Sequence, residues 1–233
     1  SDSLMGMAGP DTIDALGGDD FIEGFEGDDV LVGGSGNDFL LGDAGNDTLD
    51  GGSGDDLLVG GAGSDSYRFA LGDGVDVISE SGSFPWDMNT DTDTVDVNAP
   101  SAEASVRLAG SNLELVLSSG DTLVLLDWFG GQGESIESVR FADGVSWDAA
   151  TLSSKAIAGG VTQVGTDFGE FLPGFGGPDT LDGLAGNDNL DGRDGNDTLI
   201  GGLDDDWLQG GLGDDVYRLR PGDGADSISD DGG

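Results

Sequence analysis

Twelve aspartates recur at intervals of nine residues in two arrays, in a setting suited to holding a hard cation. In the first array they are Asp11, Asp20, Asp29, Asp38, Asp47, Asp56 and Asp65; in the second, Asp179, Asp188, Asp197, Asp206 and Asp215. Each ends a six-residue stretch of the type Gly33–Asp38, GGSGND. Glycine supplies backbone angles that residues with a Cβ avoid, so such a stretch can turn tightly. Tight curvature points successive carbonyl oxygens inward, and the carboxylate completes a half-shell. Two half-shells from neighbouring coils supply six oxygens, the number and type that calcium takes. One such aspartate would be an ordinary solvated turn residue. Twelve in register with glycine point to metal.

The elements that must position these turns follow from the remaining three residues of each unit. Units begin at residues 6, 15, 24, 33, 42, 51 and 60, then at 174, 183, 192, 201 and 210. Their eighth positions are Ile13, Ile22, Leu31, Leu40, Leu49, Leu58 and Tyr67, then Leu181, Leu190, Leu199, Leu208 and Tyr217. A three-residue x-Leu-x strand sends its middle side chain inward and its flanks outward. Two units make one coil of 18 residues, so unit n stacks on unit n+2 and the aliphatics form a thin ladder of a core. A degraded unit at 165–173 carries Phe168 and Glu170 where Gly and Asp belong, and Asp204 replaces a fourth-position glycine. Imperfect turns or ligation are expected there.

Composition narrows the function classes. The chain has 233 residues, 48 Asp+Glu against 7 Lys+Arg, and a formal charge of −41. Nucleic acid and anionic membranes are bound through clustered basic residues, so neither is an expected partner. A compact fold so charged repels itself unless cations neutralise it, and the metal-free chain has the acidic, glycine-rich character of a disordered one. Cysteine and histidine are both absent, which removes disulfides, thiolate sites and imidazole chemistry. No Gly-x-Ser-x-Gly elbow is present, and carboxylates engaged as metal ligands are not poised for acid–base work. The chain is not expected to be an enzyme. The longest aliphatic run, Leu123–Leu126, is far too short to span a bilayer.

The segment between the arrays, roughly 75–160, lacks the nonapeptide. Val106–Leu108, Leu113–Leu117, Leu123–Phe129 and Ile136–Phe141 read as strands, and Ser146 as the cap of a short helical turn at 147–153. A small core carrying Trp128, Phe129, Phe141 and Trp147 is expected. Asp87, Asn89 and Asp91 imitate the start of an EF-hand loop, but Thr92 and Asn98 stand where Gly and Glu are needed, so an acidic surface loop is the better reading. Asp73 and Asp76 either close the last metal turn of the first array or cap its end. The residues from Ser66 to Asp76, with GDGVD at 72–76, recur from Val216 to Asp226, 150 residues later. With Asp2 and Leu4 in positions six and eight of an earlier unit, this suggests a piece of a larger tandem protein. The boundaries expected are 1–71 for a first roll, 72–164 for a β-rich flanking domain, 165–221 for a second roll and 222–233 for the start of a second flanking domain.

The nonapeptides resemble the RTX (repeats-in-toxin) haemolysin-type family, over about half the chain. The resemblance implies an all-β fold of two right-handed parallel β-rolls separated by a small β-rich capping domain. It places calcium between turns n and n+2: carbonyls at positions two and four plus Asp from one turn, and at one and three plus Asp from the other. One site would then use Met7, Gly9 and Asp11 with Gly24, Glu26 and Asp29. With the twelve aspartates, the expected metal residues include Gly9, Gly18, Gly24, Gly27, Gly33, Gly36, Gly42, Gly51, Gly60, Gly177, Gly186, Gly192, Gly201 and Gly210. Intact n, n+2 pairs number about five in the first array and three in the second, so about eight ions. The middle segment, through GDGxDxI, DWF and FADG, resembles the domain interleaved between such arrays in large bacterial secreted proteins.

At millimolar calcium and affinities of about 0.1–1 mM, each site contributes roughly 0.5–1.5 kcal/mol, so eight give on the order of a domain's stability. The chain is therefore expected to be unfolded at cytosolic calcium and folded outside the cell, as the resemblance to type I secretion substrates implies. The leading role is a calcium-folded spacer or stalk of a secreted or surface-attached protein, with neighbouring modules as partners. The alternatives are an accessory module of a secreted protease, lipase or polysaccharide-modifying enzyme, or a carbohydrate-binding module using Trp86, Trp128 and Trp147. One sheet is greasy outside as well, through Phe21, Phe39, Leu57, Leu41 and Val59, with Phe171 and Trp207 in the second array. It is expected to pack on the middle segment or a neighbouring module.

Overall fold

The computed structural model describes residues 1–80, 91–109, 111–126, 128 and 136–232. The chain forms two compact units, Ser1–Ser153 and Ser154–Gly233. It is all-β apart from short helical segments, and its strands coil as a parallel solenoid. No helix among the described residues is long and apolar enough to cross a membrane.

In the first unit alternate nonapeptides feed two sheets, as an 18-residue coil requires. One sheet runs Ser3–Met5, Phe21–Glu26, Phe39–Ala44, Leu57–Ala62, Val75–Ile78, all parallel. The other runs Thr12–Asp14, Val30–Ser35, Thr48–Ser53, Ser66–Phe69. Ile22, Leu40 and Leu58 stand in register in the first sheet, and Leu31, Leu49 and Tyr67 in the second, all fully buried. Several strands of this roll are six residues long rather than three, because pairing continues from x-Leu-x into the glycine turn, as at Asp43↔Gly61.

The middle segment joins both sheets edge-on. Thr122–Leu125 pairs parallel with Val75–Ile78 and is followed by antiparallel Asn112–Leu117 and Ala104–Ala109. Thr94–Val97 pairs parallel with Ser66–Phe69, then come Ser138–Phe141 and antiparallel Ser146–Asp148. Backbone pairing thus carries the roll into sequence that has lost the repeat. The greasy outer row is extended by these strands, since Phe21, Phe39 and Leu57 continue in register to Val77 and Val124, and Val59, two residues from Leu57 on the same face, is buried. Phe21 and Phe39 meet edge to face at 5.4 Å, and Leu57 remains 36 % exposed.

The helix, Ala149–Ala158, is longer than the sequence suggests, and its cap is different. Asp148 Oδ1, not Ser146, accepts the amide of Thr151 at 2.8 Å, because Ser146 is held in a strand.

The second unit repeats the roll with strands of two or three residues. Thr162–Val164, Thr180–Asp182, Thr198–Ile200 and Val216–Tyr217 form one sheet. Phe171–Pro173, Asn189–Asp191, Trp207–Gln209 and Ser227–Ser229 form the other. Leu172, Leu181, Leu190, Leu199 and Leu208 make its core, with Tyr217 packed against them.

Candidate metal centre

Stacking at 18 residues turns the repeat aspartates into columns. Within the rolls the amide of one donates to the carboxylate one coil further on: Asp20 to Asp38 Oδ1 at 2.8 Å, Asp29 to Asp47 at 2.8 Å, Asp47 to Asp65 at 2.7 Å. The second roll does the same, with Asp179 to Asp197 at 2.8 Å and Asp188 to Asp206 at 2.9 Å. Oδ1 is therefore a structural acceptor and fixes the carboxylate's rotation.

The other oxygen carries the chemistry. Oδ2 of Asp20, Asp29, Asp38, Asp47, Asp56 and Asp65, and of Asp188, Asp197, Asp206 and Asp215, is buried without a hydrogen-bond partner in the protein. A buried carboxylate oxygen left bare is costly unless a cation meets it. At the start of each roll the pattern differs, since Asp11 Oδ2 accepts the amide of Met7 at 2.7 Å and Asp179 Oδ2 that of Phe175 at 2.6 Å.

Two kinds of glycine shape the space around these oxygens. Position-four glycines such as Gly36 (φ 122°) and Gly45 (φ 152°) are left-handed, and neighbouring coils press against them. Gly9, Gly18, Gly27 and Gly186 share that conformation, and Gly177 donates its amide to Asp194 at 2.7 Å. Position-one glycines are needed for room instead. A Cβ on Gly6 would lie 2.6 Å from the carbonyl oxygen of Gly24 and 2.9 Å from Asp11 Oδ2. One on Gly42 would lie 2.6 Å from Gly60 O and collide with Asp47 Oδ2; one on Gly192 would lie 2.6 Å from Gly210 O and collide with Asp197 Oδ2. Gly24, Gly33, Gly51, Gly60, Gly201 and Gly210 likewise have their own unit's carboxylate where a side chain would go. The side chain these glycines lack leaves a cradle where a carboxylate oxygen converges, in the interior units, with a carbonyl oxygen from two units on.

That donor set is hard, anionic and all oxygen, and it suits calcium. Asp Oδ2 and the position-one carbonyls are the atoms that would hold the ion, which would supply the positive charge the stack lacks. The carbonyl of Glu26, in the ligand set implied by the resemblance, also accepts the amide of Gly9 at 2.5 Å, leaving one lone pair for a cation.

The electrostatics agree. Burial, opposed in part by the backbone hydrogen bond, pushes Asp47, Asp56 and Asp197 up to about 6, and the neighbouring aspartates add to the rise. Asp65 is pushed to about 8 for the same reasons. Protons and cations are thus competitors for one set of oxygens.

Some members of the stack escape the repeat pattern. The amide of Asp56 reaches Asp76, that of Asp65 reaches Asp93, and that of Asp206 reaches Asp226. The GDGxD motif signals Asp76 and Asp226; Asp93, ten residues late at a spacing of 28, carries no sequence signal. Asp73 instead caps its own turn by accepting the amide of Ala70. Glu170 takes an aspartate's place in the degraded unit: its amide donates to Asp188 at 2.8 Å and its carboxylate accepts that of Thr166. Asp204 holds the left-handed turn without being glycine, at φ 78°. The EF-hand-like residues Asp87 and Asn89, with Trp86 and Phe129, lie outside the described residues. Trp147 is buried edge to face with Phe141, and Trp128 donates to Ser153 at 2.9 Å.

The model of the RTX calcium-binding nonapeptide repeat matches residues 1–31, 32–67, 41–78, 173–208 and 191–228, more than half of the chain. The chain belongs to the RTX calcium-binding repeat family. RTX nonapeptides bind calcium, in accord with the bare oxygens of both rolls. Residues 112–151, where the RTX roll gives way to antiparallel strands, match the haemolysin-type calcium binding protein related domain. No curated protein sequence matches the chain. Among solved structures it is similar to the extracellular lipase LipA from Serratia marcescens, at 22 % identity and a TM-score of 0.38. That match covers 86 % of this chain and 29 % of the lipase chain.

Proposed function

We propose that this chain is a calcium-folded structural module, a spacer or stalk segment of a larger secreted or surface-attached protein exported by type I secretion. The observation that carries this reading is the column of buried, partnerless Oδ2 atoms running through each roll. The leucine core is one side chain thick, while a formal charge of −41 pulls the chain apart, so folding depends on the ions. About eight sites of n, n+2 type account for the intact pairs. With calcium low inside a cell the chain stays extended enough to pass a channel, and it closes outside. Burial of the Trp147 ring weighs against its use as a sugar platform.

A calcium titration followed by circular dichroism tests this reading. Disordered spectra in excess chelator and a cooperative gain of β signal in the millimolar range are expected. Full β structure in chelator would overturn it.

A further inference from the structure

The unit at 60–68 closes the first array, and no nonapeptide stands two units on to complete its cradle. In the interior units that place is taken by a backbone carbonyl, as Gly60 O stands over Gly42. Over Gly60 itself a Cβ would meet Asp65 Oδ2, its own unit's carboxylate as at the other position-one glycines, and the Tyr67 hydroxyl, a side-chain oxygen where the interior units have a backbone one.

Two carboxylates from outside the repeat converge there. Glu80 follows the strand Val75–Ile78, and Asp93 precedes the strand Thr94–Val97. They are 7 % and 1 % exposed, Asp65 is 2 % exposed, and one oxygen from each of the three lies within 4.8 Å of the other two. The group is oriented by backbone: the amide of Asp65 donates to Asp93 Oδ1 at 2.7 Å, and that of Asp93 to Glu137 Oε2 at 2.6 Å. Asp65 Oδ1 is occupied by the amide of Asp47, which leaves Oδ2, buried and bare, as the oxygen it can offer the group. Three carboxylates so close and so dry repel one another unless protons or a cation intervene.

We propose that Asp65, Glu80 and Asp93 form a closing site for a hard divalent cation, calcium by preference, built from side-chain oxygens where the repeat sites use carbonyls. The inference rests on the reading that the nonapeptides hold calcium. It adds a site outside the n, n+2 rule, with three carboxylates instead of two. A higher ligand charge in a rigid setting tightens calcium binding, so this site fills before the repeat sites. Its ion ties the residues on either side of 81–92 to the end of the roll.

Crystals of the intact chain grown in calcium and soaked in terbium test the placement by anomalous diffraction. A peak bridging Asp65, Glu80 and Asp93, beside peaks in the repeat turns, is expected. Peaks in the repeat turns with none at this group would overturn the closing site alone, leaving a proton-sharing acid cluster. The absence of peaks from both would overturn the underlying calcium reading as well. Equilibrium dialysis of Glu80→Gln gives the affinity: its tightest class should lose one ion or weaken on the order of tenfold, with the β spectrum in calcium retained. An unchanged count and affinity would also overturn the proposal, and should the variant fail to fold, the terbium map of the natural chain decides.

Discussion

The amide of Asp56 donates to Asp76 Oδ1 at 3.1 Å, and the two lie 20 residues apart where the repeat gives 18. Asp206 and Asp226 reproduce the pair in the second roll at the same distance and spacing. The carboxylate column therefore outlasts the nonapeptide: the chain takes two extra residues in a turn that Asp73 caps, and Asp223 does the same. What must be conserved through the stack is the position of an oxygen, and sequence period is one way to place it.

Substitution at this junction separates the two acidic roles. Asp76→Asn should lower stability in millimolar calcium by about 0.5–1.5 kcal/mol, the contribution of one ion. As calcium falls toward the folding midpoint the cost should vanish, since a carboxyl pushed up to about 8 by burial then carries a proton, and Asn is its neutral counterpart. Asp73→Ala should cost roughly 0.5–1.5 kcal/mol at every calcium concentration at which the chain folds, as the loss of a turn hydrogen bond. Urea unfolding of both variants across a calcium series distinguishes these patterns, and equal calcium dependence would show that both residues ligate.

Acid and calcium should each favour the folded form while competing for the same oxygens. Asp65 and Asp76 sit at about 8 and Asp47, Asp56 and Asp197 at about 6 in the folded form, raised chiefly by burial. Their unfolded value is about 4. A raised folded pKa gives stability that is fully present below the unfolded value and lost as pH rises through the folded one. In chelator, β signal should thus grow as pH falls from 8 toward 5, while the calcium midpoint rises over the same range. A β signal in chelator independent of pH would contradict the burial of these groups.

The position-one cradle makes a paired prediction. Gly42→Ala places a methyl 2.6 Å from Gly60 O and against Asp47 Oδ2, and should weaken calcium binding at that turn by roughly 1–3 kcal/mol through overpacking. Unit 15 carries the reverse case, with Ala15 buried at position one. Ala15→Gly should strengthen binding near Asp20. Titration calorimetry that finds both variants unchanged would mean that the cradle does not touch the ion.

Core and surface should respond on different scales. Leu40 is fully buried between Ile22 and Leu58, and Leu40→Ala should cost about 2–5 kcal/mol in saturating calcium. On the outer face of the other sheet, Arg140 pairs with Asp96 at 2.8 Å with both side chains about half exposed. Arg140→Ala should cost about 1 kcal/mol or less. Thermal unfolding in calcium measures both.

The strands of the repeat were legible because their pattern is local: one inward aliphatic, two flanking residues, one glycine turn. The middle strands were legible as strands but not as continuations of the roll, since edge pairing such as Val77↔Val124 depends on backbone hydrogen bonds that leave no mark in side-chain type. The helix cap was misplaced at Ser146 because tertiary pairing with Arg140 claimed that residue for a strand.

Sequence by itself determined the period, the calcium chemistry and which aspartates stack, because a nine-residue unit repeated without gaps allows one register. Tertiary structure alone decided which oxygen is free, what space position-one glycine leaves, and that Glu80 and Asp93 meet Asp65. The physical reason is that carboxylates 15 and 28 residues from Asp65 come together only when the sheets that carry them pair, and burial then makes their unneutralised charge matter.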